Sequence, residues 1–555
     1  MNYLFVGFEG LKPGLGTGHI VRIKRLINLL RVSDPKVELI TFITNMPEQS
    51  DSYDLLLVNS LKEASDAMIG CVRSGKFDVA IFDCLDYCKS VYFQCKKEYV
   101  VTIGIDTSSE QSSILDILVN PVIENKFSHL TGAFYSIHNT DNPYQDKQVR
   151  INDKKSIFIC FGGIDYQNHL AGLAPYISSF PSSYEINIIL AGEGDVHYDH
   201  SLGDNVNLLY RPDNFYELLG SADIAIISGG ILLQECLFMG IPAYVIPQYD
   251  HQLKVAKEKE VAGLVLGVSE IQARYKNSVD FMLPALEDQA LLDQLAERSR
   301  SSNDGYGLNR VTGILRLIDY MPWDSNFFGH EIFMLNTKSY TQAIKEKINI
   351  ATGRKKIDLI YFLCPSSNVT SIDFALKDGF KCVDDRLTYL VKKFEFDESI
   401  LDGNYCIKKS GHEDIARLEV IASQSKWTSR YFNDGNFSRD QLKDFYSAWV
   451  KKSVTGDLDD IVFHIEDAGT IMGFVTIKKN GPNLGSIGLI TVAEEAQGRG
   501  FGLKLAAYAV KTLLKDWGCA GVEVVTQKNN VPACRTYEKL GFKIFDNSTW
   551  MHKWI

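Results

Sequence analysis

Short apolar runs rich in β-branched residues alternate with helical segments over the first 318 residues. YLFVGF, VELITFIT and FDVAIFD predict strands, and residues 19–30 space their apolar side chains for one face of a helix. A second series of the same kind starts at SIFICFGGID, residues 156–165. Strands that alternate with helices form parallel sheets covered on both faces. We therefore expect two doubly wound, Rossmann-like α/β domains, over 1–150 and 151–318, with ligands at the carboxyl ends of the strands.

Length and charge set outer limits on the function. The 555 residues are enough for three or four domains. The net charge of −11 and the lack of a long basic run argue against nucleic-acid binding, because phosphate neutralisation dominates such affinity. The sequence has no apolar run long enough for a membrane span, so we expect none. Its N-terminal residues lack the basic segment followed by an apolar segment that is typical of a signal peptide, so we expect no signal peptide.

The cysteines predict a reduced, cytoplasmic protein. All 11 are scattered through apolar runs rather than set at the spacings of a disulfide framework. Cys84 and Cys88 form one close pair, but neither histidines nor a second cysteine pair accompany them. We therefore expect no metal site.

An internal repeat follows a candidate boundary near residues 319–322. The segment SNVTSIDFALKDGFKCVD, residues 367–384, aligns without gaps on NNVPACRTYEKLGFKIFD, residues 529–546. We expect two copies of one α+β unit packed side by side, over 319–400 and 401–555. The alternative is a chance similarity between two strand–helix–strand segments.

The two copies differ where a phosphate could bind. The second copy has three glycines within QGRGFG, residues 497–502, between a predicted strand and a predicted helix. Glycines let backbone N–H groups approach a diphosphate at the positive end of a helix. The first copy has LNTKSY at the equivalent place, and Ala375 stands where the second copy has Tyr537. Only the second copy is expected to bind a diphosphate there.

The glycine loop and the segment NNVPACRTYEKLGF resemble the GNAT N-acetyltransferase superfamily. MPWDSNFFGHEIF and ASQSKWTSRYFNDGNFSRDQLKDFYSAWV are similar to the acetyltransferases that act on the 4-amino group of a dTDP-4-amino-4,6-dideoxyhexose. This resemblance covers residues 320–555, with a degenerate first copy, and implies acetyl-CoA as co-substrate. The residues that it implies for acetyl-CoA binding are Ile490, Val492, Gln497, Gly498, Arg499, Gly500, Phe501, Gly502 and Asn530.

The same resemblance implies a proton donor but no visible base. Tyr537 matches the tyrosine that protonates the leaving thiolate, a role that suits a phenol. The alternative is an aromatic residue of the helix core. His464 and Glu495 are guesses for the base that takes the amine proton, and His464, in the strand IVFHIED, is more typical of a structural residue.

A histidine opens the first helix of the chain. In GLGTGHIVR, residues 14–22, His19 falls in the first helical turn, where the helix dipole disfavours an imidazolium. We expect a neutral His19 that serves as a base toward a ligand in the adjoining cleft. A histidine that only caps the helix is the alternative.

A second loop predicts a diphosphate site. Ser228, Gly229 and Gly230 end a strand and open a helix. Glu235, further along that helix, can accept both hydroxyls of a ribose, and residues 250–252 can reach a sugar or its phosphates.

These loops, together with FGGID (161–165) and ILVNP (117–121), resemble the UDP-sugar hydrolases of pseudaminic acid biosynthesis, which have the GT-B fold. The resemblance covers nearly all of residues 1–318. It implies that His19 activates water against the anomeric carbon with inversion. His251 stands where that family has asparagine, which leaves the substrate stereochemistry open. The nucleotide-sugar residues implied are Gly16, Gly18, Arg22, Ser228, Gly229, Gly230, Glu235, His251 and Gln252.

The two resemblances together predict a bifunctional enzyme. The C-terminal half is expected to acetylate a UDP-4-amino-4,6-dideoxy sugar, and the N-terminal half to cleave the product to UDP and a 2,4-diacetamido-2,4,6-trideoxyhexose. Two alternatives stay open. One is a GT-B glycosyltransferase fused to an aminosugar acetyltransferase, and the other is a non-catalytic half that only holds the nucleotide sugar. The sequence does not determine the sugar configuration, the acyl chain or the oligomeric state. It also does not determine whether the nucleotide is UDP or dTDP.

Overall fold

The chain divides into two compact units, residues 1–315 and 316–555. The computed structural model describes residues 1–7, 18–33, 37, 39–44, 53–83, 89–106, 115–122, 130–138, 155–163, 165, 167–190, 202–272, 274–354, 356–401, 406–425, 427–480 and 483–555. Among these residues no helix is long and apolar enough to cross a membrane.

The first unit contains thirteen strands and ten α-helices within its described residues. The strands are β1 (Tyr3–Gly7), β2 (Ile40–Thr44), β3 (Asp54–Leu57), β4 (Val79–Asp83), β5 (Val101–Ile105), β6 (Ile117–Asn120), β7 (Leu130–Thr131), β8 (Ser156–Cys160), β9 (Glu185–Leu190), β10 (Val206–Tyr210), β11 (Ile224–Ile227), β12 (Ala243–Val245) and β13 (Gly267–Val268). The helices are α1 (Gly18–Ser33), α2 (Leu61–Arg73), α3 (Lys89–Lys97), α4 (His169–Leu173), α5 (Phe215–Gly220), α6 (Gly230–Met239), α7 (Asp250–Val261), α8 (Tyr275–Glu287), α9 (Gln289–Ser301) and α10 (Gly307–Leu315).

These strands form two parallel sheets. The first has the order β3-β2-β1-β4-β5-β6-β7 and the second β10-β9-β8-β11-β12-β13. In both, the order reverses beside the first strand, at β1/β4 and at β8/β11, which is the switch point where doubly wound folds bind ligands. The expected GT-B-like pair of doubly wound sheets is therefore confirmed.

The sequence pattern explains why these sheets form. Every residue of β1, β2, β4 and β5 is buried, as expected for continuous apolar strands covered on both faces. The predicted apolar face of α1 packs inward. Its buried apolar residues are Ile20, Ile23, Leu26, Ile27 and Leu30.

The second unit contains ten strands and eight α-helices within its described residues. The strands are β14 (Ile318–Tyr320), β15 (Ile332–Leu335), β16 (Leu359–Pro365), β17 (Lys381–Lys392), β18 (Cys406–Lys409), β19 (Ile461–Asp467), β20 (Thr470–Lys479), β21 (Leu484–Val492), β22 (Gly521–Gln527) and β23 (Lys543–Trp554). The helices are α11 (Pro322–Phe328), α12 (Gln342–Arg354), α13 (Val369–Lys377), α14 (Ile415–Gln424), α15 (Arg430–Asp434), α16 (Arg439–Val454), α17 (Phe501–Lys511) and α18 (Val531–Lys539).

The two repeats exchange their last strands within one sheet. The order is β14-β15-β16-β23-β17-β22-β21-β20-β19-β18. Strand β17, which ends the first repeat, pairs with β22 of the second, and β23, which ends the second repeat, pairs with β16 of the first. Each repeat thus completes the other, which differs from the side-by-side packing expected from the sequence. The domain limits predicted inside this unit stay predictions.

Helices cover both faces of this sheet. On one face, α17 and α18 pack on β17, β21 and β22 around an aliphatic cluster that includes Leu505, Leu513 and Val524. On the other face, α14, α15 and α16 pack on an aromatic cluster that includes Phe328, Tyr361 and Phe445. Successive side chains of a strand point to opposite faces of the sheet, so alternate residues of each strand contribute to the two clusters.

Candidate functional sites

His19 forms an aspartate–histidine pair at the first switch point. Its Nδ1 lies 2.6 Å from Oδ1 of Asp83, the last residue of β4. Asp83 is fully buried, whereas 15% of the His19 side chain is exposed. A carboxylate accepts a hydrogen bond, so in a neutral ring this contact fits the tautomer with the proton on Nδ1, which leaves a lone pair on Nε2. Nε2 has no hydrogen-bond partner among the described residues.

Arg22 lies behind this pair and is only 4% exposed. Its Nε donates to Asp83 Oδ2 at 2.8 Å, and another of its nitrogens forms an ion pair with Asp106. Burial by itself would raise the pKa of Asp83, but the charges of Arg22 and His19 hold that pKa below its usual value. Asp83 is therefore a carboxylate at neutral pH. These contacts suit a residue that holds Asp83 in place. Direct binding of the nucleotide sugar by Arg22 stays a prediction.

Asp83 and Asp106 are candidate site residues that the sequence reasoning missed. A signal was present, because FDVAIFD ends in aspartate at the carboxyl end of a predicted strand. The missing information was that β4 is the direct neighbour of β1. Gly16, predicted for the same loop, lies outside the described residues.

The second predicted loop has the backbone that only glycine adopts readily. Gly229 and Gly230 have φ values of 105° and 68°, and α6 begins at Gly230. A Cβ atom built on Gly229 would lie 3.6 Å from the Gln252 side chain, so Gln252 lies against this loop. A Cβ atom on Gly18 would lie 3.1 Å from Ile231, which shows that the structure brings the two predicted loops together.

Glu235 is buried and already engaged. Its Oε1 accepts hydrogen bonds from Arg25 and from the hydroxyl of Tyr216, each at 2.8 Å. The predicted contact with two ribose hydroxyls would have to share or replace these donors, and it stays a prediction.

His251 stacks on Tyr249, with ring centroids 5.6 Å apart. Burial, followed by the charge of His19, lowers the pKa of His251. His251 is thus a neutral side chain within the electrostatic reach of His19. That the two histidines belong to one site stays a prediction.

The strand that should bind the pantetheine arm separates from its neighbour. Pairing of β21 with β22 runs from Leu484↔Gly521 to Ile487↔Val524 and then stops. Ile490 and Val492 pair only on the opposite side, with β20. The backbone of this half of β21 therefore faces an opening between two parallel strands, where an extended ligand can add hydrogen bonds like a further strand.

The glycine loop after β21 leaves space for a ligand. Gly498 and Gly500 have φ values of 77° and 81°, and a Cβ atom on either would meet no described atom within 4 Å. Gly500 precedes the first residue of α17, so free backbone N–H groups of this helix lie at the loop. The side chain of Arg499 pairs with Asp467 at 2.7 Å and lies over the ring of Phe501.

A surface cleft adjoins this loop on the side of α14. The residues that line it are Ile421, Gln424, Ser425, Val492, Ala493, Glu494 and Gln497. Asn530, predicted to contact coenzyme A, instead accepts the backbone N–H of Ala533 and caps α18. Its predicted ligand contact would need the remaining donors of the amide group.

Tyr537 lies on α18 and is 3% exposed. Its ring packs against Tyr389 and Phe542, with centroids 5.8 and 5.7 Å away. Burial, followed by the effect of Cys534, raises the pKa of Tyr537, so the phenol keeps its proton at neutral pH. This state suits a proton donor, and the same burial suits a core aromatic, so both interpretations stay open.

The two guesses for a base have other contacts. The Nδ1 of His464 is 2.9 Å from the Ser410 hydroxyl, and its Nε2 is 3.3 Å from Glu466. With both ring nitrogens engaged and the ring buried, His464 is structural. Glu495 is exposed and pairs with Arg417 at 3.0 Å.

No group of histidine, cysteine, aspartate and glutamate residues suited to a metal ion occurs in the part of the chain that the structure describes. Cys84 and Cys88 lie outside that part. The expectation of a metal-free enzyme stays a prediction.

Comparison with known proteins assigns the C-terminal region. The sequence pattern of the acetyltransferase (GNAT) family matches residues 423–542. The chain carries a GNAT domain at its C-terminal end. A mycothiol acetyltransferase of Corynebacterium jeikeium is 34% identical to this chain over 67 residues, which cover 12% of this chain and 19% of that protein.

The N-terminal half resembles a different protein. The spore coat polysaccharide biosynthesis protein SpsG of Bacillus subtilis is 24% identical over 324 residues, which cover 54% of this chain and 94% of that protein. A crystal structure of Acinetobacter baumannii MurG aligns with a TM-score of 0.44 at 12% identity, over 57% of this chain and 99% of that chain.

Proposed function

We propose that the chain is a bifunctional enzyme that acetylates and then hydrolyses a nucleotide-linked amino sugar. The GNAT domain would transfer an acetyl group from acetyl-CoA to the 4-amine of a UDP-4-amino-4,6-dideoxy sugar. The N-terminal unit would then release UDP and a 2,4-diacetamido-2,4,6-trideoxyhexose, as in pseudaminic-type acid biosynthesis. Because acetyl-CoA and UDP-sugars are cytoplasmic metabolites, we place the enzyme in the cytoplasm.

The observation that carries the hydrolase proposal is the His19–Asp83 pair beside the Gly229–Gly230 loop. Nε2 of His19 would take a proton from water, and the water oxygen would attack the anomeric carbon. The bond from that carbon to the UDP oxygen breaks, and UDP leaves as an anion. Asp83 stabilises the imidazolium that forms, and the N–H groups at the start of α6 stabilise the leaving diphosphate.

The opening between β21 and β22 supports the acetylation step. Acetyl-CoA would place its pantetheine arm along Ile490 and Val492 and its pyrophosphate on the Gln497–Gly502 loop. The amine attacks the thioester carbon, the carbon–sulfur bond breaks, and the thiolate takes the proton of Tyr537, whose phenol is restored by the proton that the nitrogen loses. Because acetylation is proposed to precede hydrolysis, the nucleotide must still be attached to the sugar when the amine reacts.

The test is to incubate the purified chain with a UDP-4-amino-4,6-dideoxy-N-acetylhexosamine, with and without acetyl-CoA, and to identify the products by mass spectrometry. The expected result is an acetylated UDP-sugar followed by UDP and the free diacetamido sugar. UDP that appears only after an acceptor sugar is added would favour the glycosyltransferase alternative. Acetylation with no UDP release under any condition would favour the non-catalytic alternative.

A further inference from the structure

The exchanged strand β17 brings two charged side chains of the first repeat to the GNAT domain. Arg386 lies directly opposite Gln527, the last residue of β22, and Asp384 precedes Arg386 by two residues on β17. Paired residues point to the same sheet face, and so do residues two apart on one strand. Asp384, Arg386 and Gln527 therefore share one face. Leu387 and Tyr389 of the same strand contribute to the α17 cluster on the opposite face.

This shared face is the one beside the predicted thioester. The hydroxyl of Thr428, between α14 and α15, lies 3.5 Å from Gln527 Oε1, and Ser425 contacts Thr491 of β21 at 2.7 Å. The segment that joins α14 to α15 thus crosses the carboxyl ends of β21 and β22, where the two strands separate. Neighbouring strands are about 5 Å apart and two residues span about 7 Å, so the backbone of Asp384 lies about 8–9 Å from that of Gln527.

Two atoms of this cluster are buried without a partner. Asp384 Oδ2 and Arg386 Nε have no hydrogen-bond partner among the described residues. Unpaired buried polar atoms are uncommon and costly in native proteins, so they indicate that something else supplies the partner. A carboxylate oxygen accepts protons from an amine, and a guanidinium N–H donates to an oxygen. The pair therefore suits an amino sugar.

The nearby guanidinium of Arg430 is engaged by groups other than Asp384. Arg430 stacks on the rings of Tyr361 and Trp550, at 3.8 and 4.0 Å, and forms its ion pair with Asp324 at 3.6 Å. No salt bridge links Arg430 to Asp384 within the described residues.

Several other groups act on Asp384 electrostatically. They are Asp385 on its own strand, Arg430 on α15, and Tyr446 on α16, whose pKa is raised by burial and, to a lesser extent, by Asp384. Burial raises the pKa of Asp384 to about 6, against the lowering effects of the Asp385 backbone and of Arg430. A carboxylate with such a pKa is a more effective base near neutral pH than an ordinary aspartate.

We propose that Asp384, contributed by the first repeat, is the base that accepts the proton of the acceptor amine, while Arg386 donates to an oxygen of the same sugar. This assignment rests on the proposed acetyltransferase function. The amine arrives as an ammonium ion and gives one proton to Asp384, which passes it to water. The nitrogen attacks the thioester carbon and the carbon–sulfur bond breaks. The thiolate takes the Tyr537 proton, and the second nitrogen-bound proton restores the phenol.

The test compares Asp384→Asn with Asp385→Asn in the full chain. Asp385 is the adjacent, exposed carboxylate, and its Oδ1 accepts a hydrogen bond from Thr549. Acetylation of a UDP-4-amino-4,6-dideoxy-N-acetylhexosamine is followed by thiol release from pH 5 to 9, and acetyl-CoA binding is followed by calorimetry. We expect Asp384→Asn to lower kcat by about 10²–10⁴-fold and to remove the acidic limb of the pH profile, with unchanged acetyl-CoA affinity. Asp385→Asn should keep the limb, with a midpoint somewhat below that of the wild type, because the charge of Asp385 is one of the effects that raise the pKa of Asp384.

Two further outcomes separate this assignment from the proposed function. If the wild type acetylates the sugar and Asp384→Asn does so at the same rate with the same pH profile, the assignment of Asp384 is wrong and the acetyltransferase stands. If the wild type binds acetyl-CoA but acetylates no 4-amino sugar, both are wrong. Asp384→Glu serves as the conservative variant, and partial recovery of rate and of the acidic limb would support a carboxylate base over a purely structural residue.

Discussion

Replacing Asp83 by asparagine tests whether the buried pair drives the proposed hydrolysis. Asp83 accepts from His19 Nδ1 at 2.6 Å and from two nitrogens of Arg22 at 2.8 and 2.5 Å. An asparagine keeps the shape but offers one oxygen and a donor NH₂ group. One of the three donors would therefore face another donor, and His19 would lose the charge that stabilises its protonated form.

The magnitude follows from burial. Asp83 is fully buried and Arg22 is 4% exposed, so solvent cannot replace the lost carboxylate. Removing one partner of a buried ion pair typically costs about 3–5 kcal/mol, and Asp106, which still pairs with Arg22, should hold the loss near the lower value. Because a correctly oriented general base contributes about 10²–10⁴ in rate, we expect UDP release to fall by that factor.

The assay is UDP release from a UDP-2,4-diacetamido-2,4,6-trideoxyhexose, resolved by anion-exchange chromatography at a temperature where circular dichroism shows the variant folded. Asp54→Asn, an exposed carboxylate on β3 of the same sheet, is the matched control and should hydrolyse at the wild-type rate. A folded Asp83→Asn protein that releases UDP as fast as the wild type would refute the role of the pair. A variant that also loses acetylation would refute the separation of the two sites.

Four further perturbations have expected outcomes. His19→Ala should remove UDP release and leave acetylation nearly intact, whereas Tyr537→Phe should slow acetylation by about 10²-fold or more while a supplied 4-acetamido substrate is still hydrolysed; chromatography of both products checks this. Gly500→Val should abolish acetyl-CoA binding in calorimetry, because the new side chain enters the open loop. Gly518→Val is the control: Gly518 has a φ of 67° and Gly500 a φ of 81°, so both variants carry a similar backbone strain of about 1–3 kcal/mol. The Gly518→Val protein should still bind acetyl-CoA. UDP release should continue in EDTA, and a full loss that magnesium restores would overturn the metal-free mechanism.

The sequence by itself determined the local features of this protein: its buried strands, the core face of α1 and its glycine loops. The apolar spacing of residues 20–30 placed one face of α1 in the core, and continuous apolar runs became buried parallel strands. Glycine at 498 and 500 stands where the backbone has positive φ, a conformation that other residues adopt only with strain. Each of these features depends on a few consecutive residues, so each was visible in the sequence.

The tertiary structure decided what depends on distant residues. Asp83 is 64 positions from His19, and only the adjacency of β1 and β4 makes them a pair. The exchange of β17 and β23 was equally hidden, because the two repeats have the same strand pattern there. Either strand satisfies the alternation of either partner, so local pattern cannot select between the two pairings. Only the complete sheet selects one, and this selection brings Asp384 of the first repeat beside the GNAT domain of the second.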